Sequence, residues 1–249
     1  NLNCRPLGEN LEKNELLIQS GKTLDATDIG LASSSGYTIL KVCSKLRVDI
    51  LSTGNEIIRQ GNHLKKGLVF DSNGPMINDL LIQSGSIPNL LDICEDNPQK
   101  LKNAITKSIN QSDVLIISGG ASDGDEDHSK DVIKSLNGKI HFWRIAIKPG
   151  RPMGFASIGD FPIFCLPGNP VAAQICFRLL VKNGLQKRLG ANILEPFRIL
   201  AYANFCQKSK LGRREYIRGK AIFVIWSMYL PPESNFPKIR LNRFGHTLI

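Results

Sequence analysis

Blocks of apolar residues recur between residues 47 and 190, and their spacing alternates between that of strands and that of helices. Residues 48–51 form a short apolar run that ends in Ser-Thr-Gly, and this pattern predicts a strand. Residues 114–117 are continuously apolar, which is typical of a strand buried on both faces of a parallel sheet. The same reasoning predicts strands at residues 68–70, 87–93, 141–146, 153–157 and 161–165.

Helical spacing separates these strands. After Asn97 and Pro98, which suit a helix N-terminus, Leu101, Ile105 and Ser108 fall on one stripe that can pack against a sheet. Helices are also predicted over residues 76–84, 129–136 and 171–189. This alternation predicts an α/β fold with a mixed, mostly parallel sheet, whose ligands bind outside the carboxyl ends of the strands.

The segments on either side of this region carry a different pattern. Residues 8–33 are polar and mildly helical, whereas short β-like runs occur near residues 198–203 and 221–229. We therefore predict an N-terminal remnant and linker (1–45), an α/β domain (46–192) and a partial C-terminal β domain (193–249). Because the first residue is Asn and not Met, the chain is interpreted as a fragment.

The net charge of +10 lies in residues 182–249, where thirteen Lys and Arg stand against three Asp and Glu. The residues before them sum to zero. Such a basic surface either faces an anionic partner, nucleic acid or a phosphorylated ligand, or is simply solvated. Nucleic acid is not expected as a partner, because no aromatic stacking surface or recognition motif accompanies the charge.

The six cysteines form no C-x-x-C pair and no zinc-like spacing with the four histidines. This pattern predicts buried thiols in a reducing compartment, and thus a cytoplasmic protein. The most apolar helical stretch, residues 171–181, is far shorter than the roughly 20 residues of a membrane span, so no membrane partner is expected.

A glycine-rich loop directly follows the apolar run at residues 114–117. Gly119 and Gly120 let the backbone approach an anion, and Ser118 and Ser122 add hydroxyl donors, although the loop can also be purely structural. Four carboxylates crowd the same loop: Asp123, Asp125, Glu126 and Asp127. They would repel an anion unless a cation bridged them, which predicts Mg²⁺ held partly by ligand phosphates. An ordinary exposed acidic loop is the alternative.

Two proline-rich turns add cations and a helix entrance. Arg151 and Lys148 lie in a Lys-Pro-Gly-Arg-Pro turn, where the guanidinium can grip an oxyanion bidentately and the ammonium acts as a point charge. Arg144 lies four residues before Lys148 and adds a third positive charge. Residues 167–170, Pro-Gly-Asn-Pro, precede a helix whose first N–H groups are expected to face the same crevice.

Six segments of the chain occur together, and in this order, in one known family. They are Leu51-Ser52-Thr53-Gly54-Asn55-Glu56, Asp71-Ser72-Asn73, Ser118-Gly119-Gly120-Ala121-Ser122-Asp123-Gly124 with Asp127, Lys148-Pro149-Gly150-Arg151-Pro152, Leu166-Pro167-Gly168-Asn169-Pro170 and Gly212-Arg213-Arg214-Glu215. The chain resembles the molybdopterin molybdenumtransferases, which are related to the C-terminal region of gephyrin, over residues 5–219.

The resemblance implies a three-layer molybdopterin-binding domain and a set of site residues. Glu56, Asp96 and Asp127 match the family's acidic residues, and Glu56 and Asp127 would bind Mg²⁺. Lys148 and Arg144 match its oxyanion-binding cations. The other implied ligand-binding positions are Thr53, Asp71, Asn73, Ser118, Gly119, Gly120, Ser122, Arg151, Pro167, Gly168, Asn169 and Pro170.

The activity that the resemblance implies is insertion of molybdate into adenylylated molybdopterin, with release of AMP. A molybdopterin adenylyltransferase and a non-catalytic molybdopterin-binding fragment are the alternatives. The family's lid and most of its dimerisation domain find no match in this chain, and the family's C-terminal β domain is matched only in part. Little turnover is therefore expected of the chain alone, and a homodimer is expected of the full-length protein.

Overall fold

The computed structural model describes residues 4, 6, 8–9, 11–119, 128–193, 202–203, 211–223 and 239–242. The α-helices in these ranges are α1 (Ala26–Ser34), α2 (Asn73–Gln83), α3 (Pro98–Gln111), α4 (Ser129–Ser135), α5 (Pro170–Cys176) and α6 (Lys182–Arg188). The strands are β1 (Arg47–Ser52), β2 (Ile57–Ile58), β3 (Val69–Phe70), β4 (Ile87–Leu90), β5 (Val114–Ser118), β6 (Lys139–Trp143), β7 (Ile147–Lys148), β8 (Gly154–Ile158), β9 (Phe161–Leu166), β10 (Tyr202–Ala203), β11 (Arg214–Glu215), β12 (Lys220–Phe223) and β13 (Ile239–Asn242). None of the described helices has the length and apolar character needed to cross a membrane.

Six strands form the main sheet, in the order β4-β1-β5-β9-β8-β6. The first four strands are parallel to one another. At the far edge, β8 pairs antiparallel with β9, and β6 pairs antiparallel with β8. The predicted mixed, mostly parallel sheet is therefore confirmed. Ser118 pairs with Ser52 on one side and with Leu166 on the other, so β1, β5 and β9 end at the same edge of the sheet.

Two apolar clusters cover the two faces of this sheet. Along the fully buried strand β5, Val114 and Ile116 join one cluster and Leu115 and Ile117 join the other, as the alternation of a strand requires. Helices α2, α5 and α6 contribute to the first cluster, and α3 and α4 contribute to the second. Each buried aliphatic side chain stabilises the fold by about 1.5–3 kcal/mol. The predicted three-layer arrangement is confirmed.

Side-chain caps explain where two of the helices begin. Asn97 Oδ1 accepts hydrogen bonds from Gln99 N and Lys100 N, so α3 starts at the predicted proline. Helix α2 starts three residues before its predicted beginning, because Asp71 Oδ1 accepts from Gly74 N (2.9 Å) and stabilises the first helical turn at that point.

Three more predictions of regular structure are wrong. Strand β4 ends at Leu90 and not at residue 93. Strand β6 ends at Trp143 and not at residue 146, because Arg144 has a φ of 84°, which an extended strand cannot accommodate. The single helix predicted over residues 171–189 contains a π turn, Phe177–Val181, between α5 and α6. A π turn adds a residue to one turn of a helix, and helical spacing alone does not reveal it.

Among the described residues, three small sheets lie outside the main one, and one of them bears on the site. Strand β7 pairs in parallel with β11, so that Lys148 lies opposite Glu215. Strands β10, β13 and β12 form another small sheet within the segment for which β structure was predicted. The division of the chain at residue 192 stays a prediction.

Candidate functional site

The carboxyl ends of β1, β5 and β9 are joined through their backbones. Thr53 N donates to Ser118 O (2.9 Å), and Gly119 N donates to Leu166 O (3.2 Å). Gly119 has a φ of 91°, and a Cβ added there would lie 2.4 Å from Thr53 O. Only glycine permits this approach, so the glycine predicted to face a ligand also lets two strand ends pack closely.

Asn73 links three of the motif segments at this edge of the sheet. Its Nδ2 donates to Ser118 Oγ and to Gly168 O, each at 2.8 Å. Its Oδ1 and Thr53 Oγ1 are buried and have no hydrogen-bond partner among the described residues. Such atoms cost about 1–3 kcal/mol each when they stay unsatisfied, so a ligand that supplied their partners would gain affinity.

Asp71 lies behind this group, and its carboxylate contacts are internal to the protein. The side chain is 2 % exposed. Its Oδ2 accepts from Ser52 Oγ (2.8 Å) and lies 3.7 Å from Arg59 Nη1, an ion pair that the sequence did not suggest. The carboxylate therefore holds α2 against the end of β1, and direct contact between Asp71 and a ligand stays a prediction.

Two of the three predicted acidic residues lie on neighbouring loops. Asn55 N donates to Asp96 Oδ2 (3.0 Å), and Asp96 N donates to Asn55 Oδ1 (3.1 Å), which ties the loop after β1 to the loop after β4. Glu56 is exposed, and a Cβ added at Gly54 would lie 2.8 Å from its Oε2. The Glu56 carboxylate thus lies over the end of β1.

The donor chemistry of this pair fits Mg²⁺. The ion is usually bound by one or two carboxylates, with water and substrate phosphates completing its octahedron. Glu56 forms no ion pair with the residues that the structure describes. Nowhere in the described ranges do three His, Cys, Asp or Glu side chains form a metal cage. The predicted residues Gly120, Ser122 and Asp127 lie outside the described residues.

A small cleft beside Asp96 includes two residues that the sequence analysis missed. Thr53 and Asp96 line the cleft together with His128 and Ser129. His128 directly follows Asp127 in the chain, so the acidic loop rejoins the described structure next to Asp96. Its place after an acidic loop was the only signal available for His128.

The N-terminus of α5 is capped by its own asparagine. Asn169 Oδ1 accepts from Val171 N (3.0 Å) and Ala172 N (3.2 Å), and Pro170 has no N–H. These two N–H groups therefore already have a partner, and the expectation that the start of this helix faces the ligand crevice stays a prediction. Asn169 and the two prolines fix the path of the backbone beside Gly168.

The predicted cations lie in the segment that joins β6 to β8. Arg144 and Arg151 are exposed, and the Lys148 side chain is 56 % exposed. A Cβ added at Gly150 would lie 2.6 Å from Cys176 Sγ, so this segment packs closely on the last residue of α5. That contact lies about 9 Å along the helix from its first residue.

Two residues beside Lys148 received no role from the sequence. Glu215 Oε1 lies 3.8 Å from Lys148 Nζ and accepts from Arg213 Nε (3.0 Å), with Arg213 Nη2 at 2.9 Å. The Glu215 side chain is 8 % exposed. The Gly-Arg-Arg-Glu segment was recognised as a motif, but nothing local connects it to a lysine 67 positions earlier.

Burial keeps two of the thiols protonated. Burial raises the pKa of Cys176 to about 12. Burial, followed by the charge of Asp96, raises the pKa of Cys94. Both thiols stay protonated at neutral pH, so they are not nucleophiles. The prediction of buried cysteines is correct for Cys94, Cys165 and Cys176, wrong for Cys4 and Cys43, which are exposed, and falls outside the described residues for Cys206.

Known proteins match most of the chain. Residues 49–187 match the family model described as a probable molybdopterin binding domain. The molybdopterin molybdenumtransferase of Haemophilus influenzae is 33 % identical over 220 residues, which cover 88 % of this chain and 54 % of the relative. The molybdenum cofactor synthesis protein cinnamon of Drosophila melanogaster is 38 % identical over 243 residues, covering 96 % and 40 %. The chain therefore spans about half the length of the curated relatives it matches.

Solved structures match the described fold. The molybdopterin biosynthesis MoeA protein of Pyrococcus horikoshii is 37 % identical with a TM-score of 0.65, and the match covers 74 % of this chain and 45 % of that one. A second MoeA structure, from Pyrococcus horikoshii OT3, is 25 % identical with a TM-score of 0.69 and covers 96 % and 55 %.

Proposed function

The chain belongs to the molybdopterin-binding domain family, and from that premise we propose that it inserts molybdate into adenylylated molybdopterin and releases AMP. Its resemblance to the molybdopterin molybdenumtransferases is confirmed by several curated relatives of that name, which are 31–35 % identical to it. A role in molybdenum cofactor biosynthesis follows from this similarity. The specific reaction, the substrates and the cytoplasmic location belong to the proposal.

The observation that carries the proposal is the position of Asn73. One amide group joins Ser118, at the end of β5, to Gly168, in the turn after β9. Three of the six motif segments are thereby gathered at the carboxyl edge of a parallel sheet, where α/β proteins bind ligands. The unsatisfied Thr53 Oγ1 and Asn73 Oδ1 at this edge are suited to hydrogen bonds with a pterin.

Lys148, Arg144 and Arg151 would bind the oxyanions of the reaction. Molybdate and the diphosphate both present several oxygens, and cations fixed before the reaction stabilise their charge at little reorganisation cost. Because the phosphoanhydride is split by water, positioning and charge stabilisation matter more than a covalent nucleophile.

The acidic residues would act at the diphosphate. Glu56 and Asp127 would hold Mg²⁺, whose chemical contribution is to neutralise charge on phosphate oxygens. Asp96 would orient the attacking water. Two placements support this assignment: Asp96 is tied to the residue before Glu56, and the residue after Asp127 lines the cleft beside Asp96.

The atoms of the overall reaction balance. Water adds across the phosphoanhydride, which gives AMP and the phosphate ester of molybdopterin. Two Mo–S bonds form at the dithiolene, and both thiol protons leave with one molybdate oxide as water. No external oxidant or reductant is needed.

The test is single-turnover AMP release from adenylylated molybdopterin, with protein in excess of substrate. From a longer protein that contains this chain we expect AMP release that requires molybdate and rises with Mg²⁺, and from the 249 residues alone we expect little release. Substrate binding without AMP release at any molybdate concentration would instead support a non-catalytic binding fragment. Formation of pyrophosphate from ATP and molybdopterin would identify an adenylyltransferase. Sedimentation of any longer protein that contains this chain would test the expected homodimer.

A further inference from the structure

We propose that Glu215 is an internal counter-ion that weakens the oxyanion site at Lys148 and so lets bound oxyanions leave. The inference rests on the proposed function, because it takes Lys148 to be an oxyanion-binding cation. It adds a positioning residue that tunes the affinity of that site.

Glu215 is held firmly by one cation and loosely by the other. Its Oε1 accepts from Arg213 Nε at 3.0 Å, with Arg213 Nη2 at 2.9 Å, which is hydrogen-bonding geometry. Lys148 Nζ lies 3.8 Å from the same oxygen, close enough for charge attraction but too far for a hydrogen bond. Lys148 therefore keeps its donors available while its charge is partly offset.

Burial makes this charge effective. The Glu215 side chain is 8 % exposed, whereas those of Lys148 and Arg213 are 56 % and 35 % exposed. A sheltered carboxylate interacts more strongly with its neighbours than a solvated one does, because less water screens it. In the described part of the chain, no other carboxylate lies within 4.0 Å of a charged nitrogen of Lys148 or Arg213.

The backbone fixes the arrangement. Lys148 and Glu215 are register partners in the parallel pair β7–β11, and Tyr216 N donates to Lys148 O (2.7 Å). The carboxylate thus has little freedom to withdraw when an oxyanion arrives at Lys148. The incoming anion must compete with it, and the same repulsion favours departure of the anion after the reaction.

The test measures molybdate binding by calorimetry on wild-type protein and on Glu215→Gln. The glutamine keeps the length of the side chain and an acceptor for Arg213 but removes the negative charge. We expect Glu215→Gln to bind molybdate about three- to tenfold more tightly. In a Lys148→Gln background, the same replacement should change the affinity by less than about twofold.

The matched control is Asp160→Asn. Asp160 is exposed at the β8–β9 turn, at the other end of β9 from Gly168, and its replacement adds the same unit of charge. We expect molybdate affinity to stay within about 1.5-fold of wild type, since the charge lies far beyond a Debye length of about 10 Å at 0.1 M salt.

Equal or weaker binding by folded Glu215→Gln would overturn the inference, as would the absence of molybdate binding in both proteins. If Glu215→Gln does not fold, Glu215→Asp withdraws the charge from Lys148 and should tighten binding to a smaller extent; no gain would again overturn it. Because this assay needs no pterin, the inference stands or falls separately from AMP release.

Discussion

Gly119 shows how one residue can serve both the fold and the ligand site. Its φ is 91°, and a Cβ added to this residue would lie 2.4 Å from Thr53 O. From the sequence, Gly119 was expected to let the backbone approach a ligand. The structure shows that it also lets the end of a neighbouring strand, at Thr53, lie close to it. Both close approaches require that residue 119 has no side chain.

Replacing Gly119 with alanine should therefore lower the free energy of unfolding by about 2–4 kcal/mol, through a positive φ and a backbone clash. Gly159→Ala is the control, because Gly159 has a φ of 57° but a Cβ added there would have no atom within 4 Å. It should lose only about 1–2 kcal/mol. Urea unfolding measures both changes, and equal losses would show that the contact with Thr53 costs nothing.

Lys148 is where charge rather than packing is expected to matter. In a full-length protein that contains this chain, Lys148→Gln should raise the molybdate concentration required for half-maximal AMP release by about tenfold or more, because a charge-assisted bond is lost. Its melting temperature should stay nearly unchanged, since the side chain is largely exposed. Lys148→Arg should restore only part of the affinity, because a planar fork replaces a point charge.

The control for this variant is Lys139→Gln, an exposed lysine at the start of β6. It removes the same charge at the end of β6 away from Arg144 and should leave the molybdate dependence unchanged. Identical molybdate dependence in Lys148→Gln and wild type would return Lys148 to the role of an ordinary surface lysine.

Among the elements, α1 is stabilised by a cap that depends on charge. Asp25 Oδ1 accepts from Asp28 N, and Asp28 Oδ2 accepts from Asp25 N, each at 3.0 Å. The hydrogen bond from Lys22, followed by that from Asp25 N, holds the pKa of Asp28 below its usual 3.8. Since the folded pKa lies below the unfolded one, this stabilisation is complete above about pH 4 and is lost as the pH falls through the folded value.

The melting temperature of Asp28→Asn should therefore fall less steeply below pH 4 than that of wild type. At pH 6 to 7 the variant should be the less stable protein, because it has lost the charged partner of Lys22. Asp79→Asn, on the exposed face of α2, controls for the removal of one carboxylate. Parallel melting curves for Asp28→Asn and wild type from pH 6 to pH 2.5 would contradict this account.

Elements that follow from residue types could be predicted, and those that depend on the backbone conformation of the folded chain could not. The apolar run of β5 and the Asn97-Pro98 start of α3 are written in adjacent residues, and both predictions are confirmed. The early start of α2 was missed because the hydrogen bond from Gly74 N to Asp71 Oδ1 forms only once the backbone has turned at residues 71–74. The end of β6 was missed because a positive φ at an arginine has no signature in the sequence.

For the whole molecule, the alternation of strand and helix patterns was enough to predict a sheet packed against helices, but not which loops contact one another. The motif segments that follow strands were expected at the carboxyl edge of a parallel sheet, and Thr53, Ser118 and Gly168 do meet there. The pairing of Lys148 with Glu215 was not predictable, since it joins segments far apart in the chain. Interactions of this kind depend on the folded topology and not on local spacing.

The pairing of β7 with β11 also has a consequence for local opening. The pairing is only two residues long on each strand, Arg214 N donates to Ala146 O and Tyr216 N donates to Lys148 O at its two ends, and most of residues 211–219 are exposed. Amide hydrogens of Arg214 and Tyr216 should exchange with deuterium at least about a hundredfold faster than those of buried β5, because short exposed pairings open without global unfolding. Equal protection would contradict this. If molybdate binds at Lys148, the amide hydrogen of Tyr216 should exchange with deuterium more slowly. The exchange rate at this pair of strands would then measure how much of the Lys148 site is occupied.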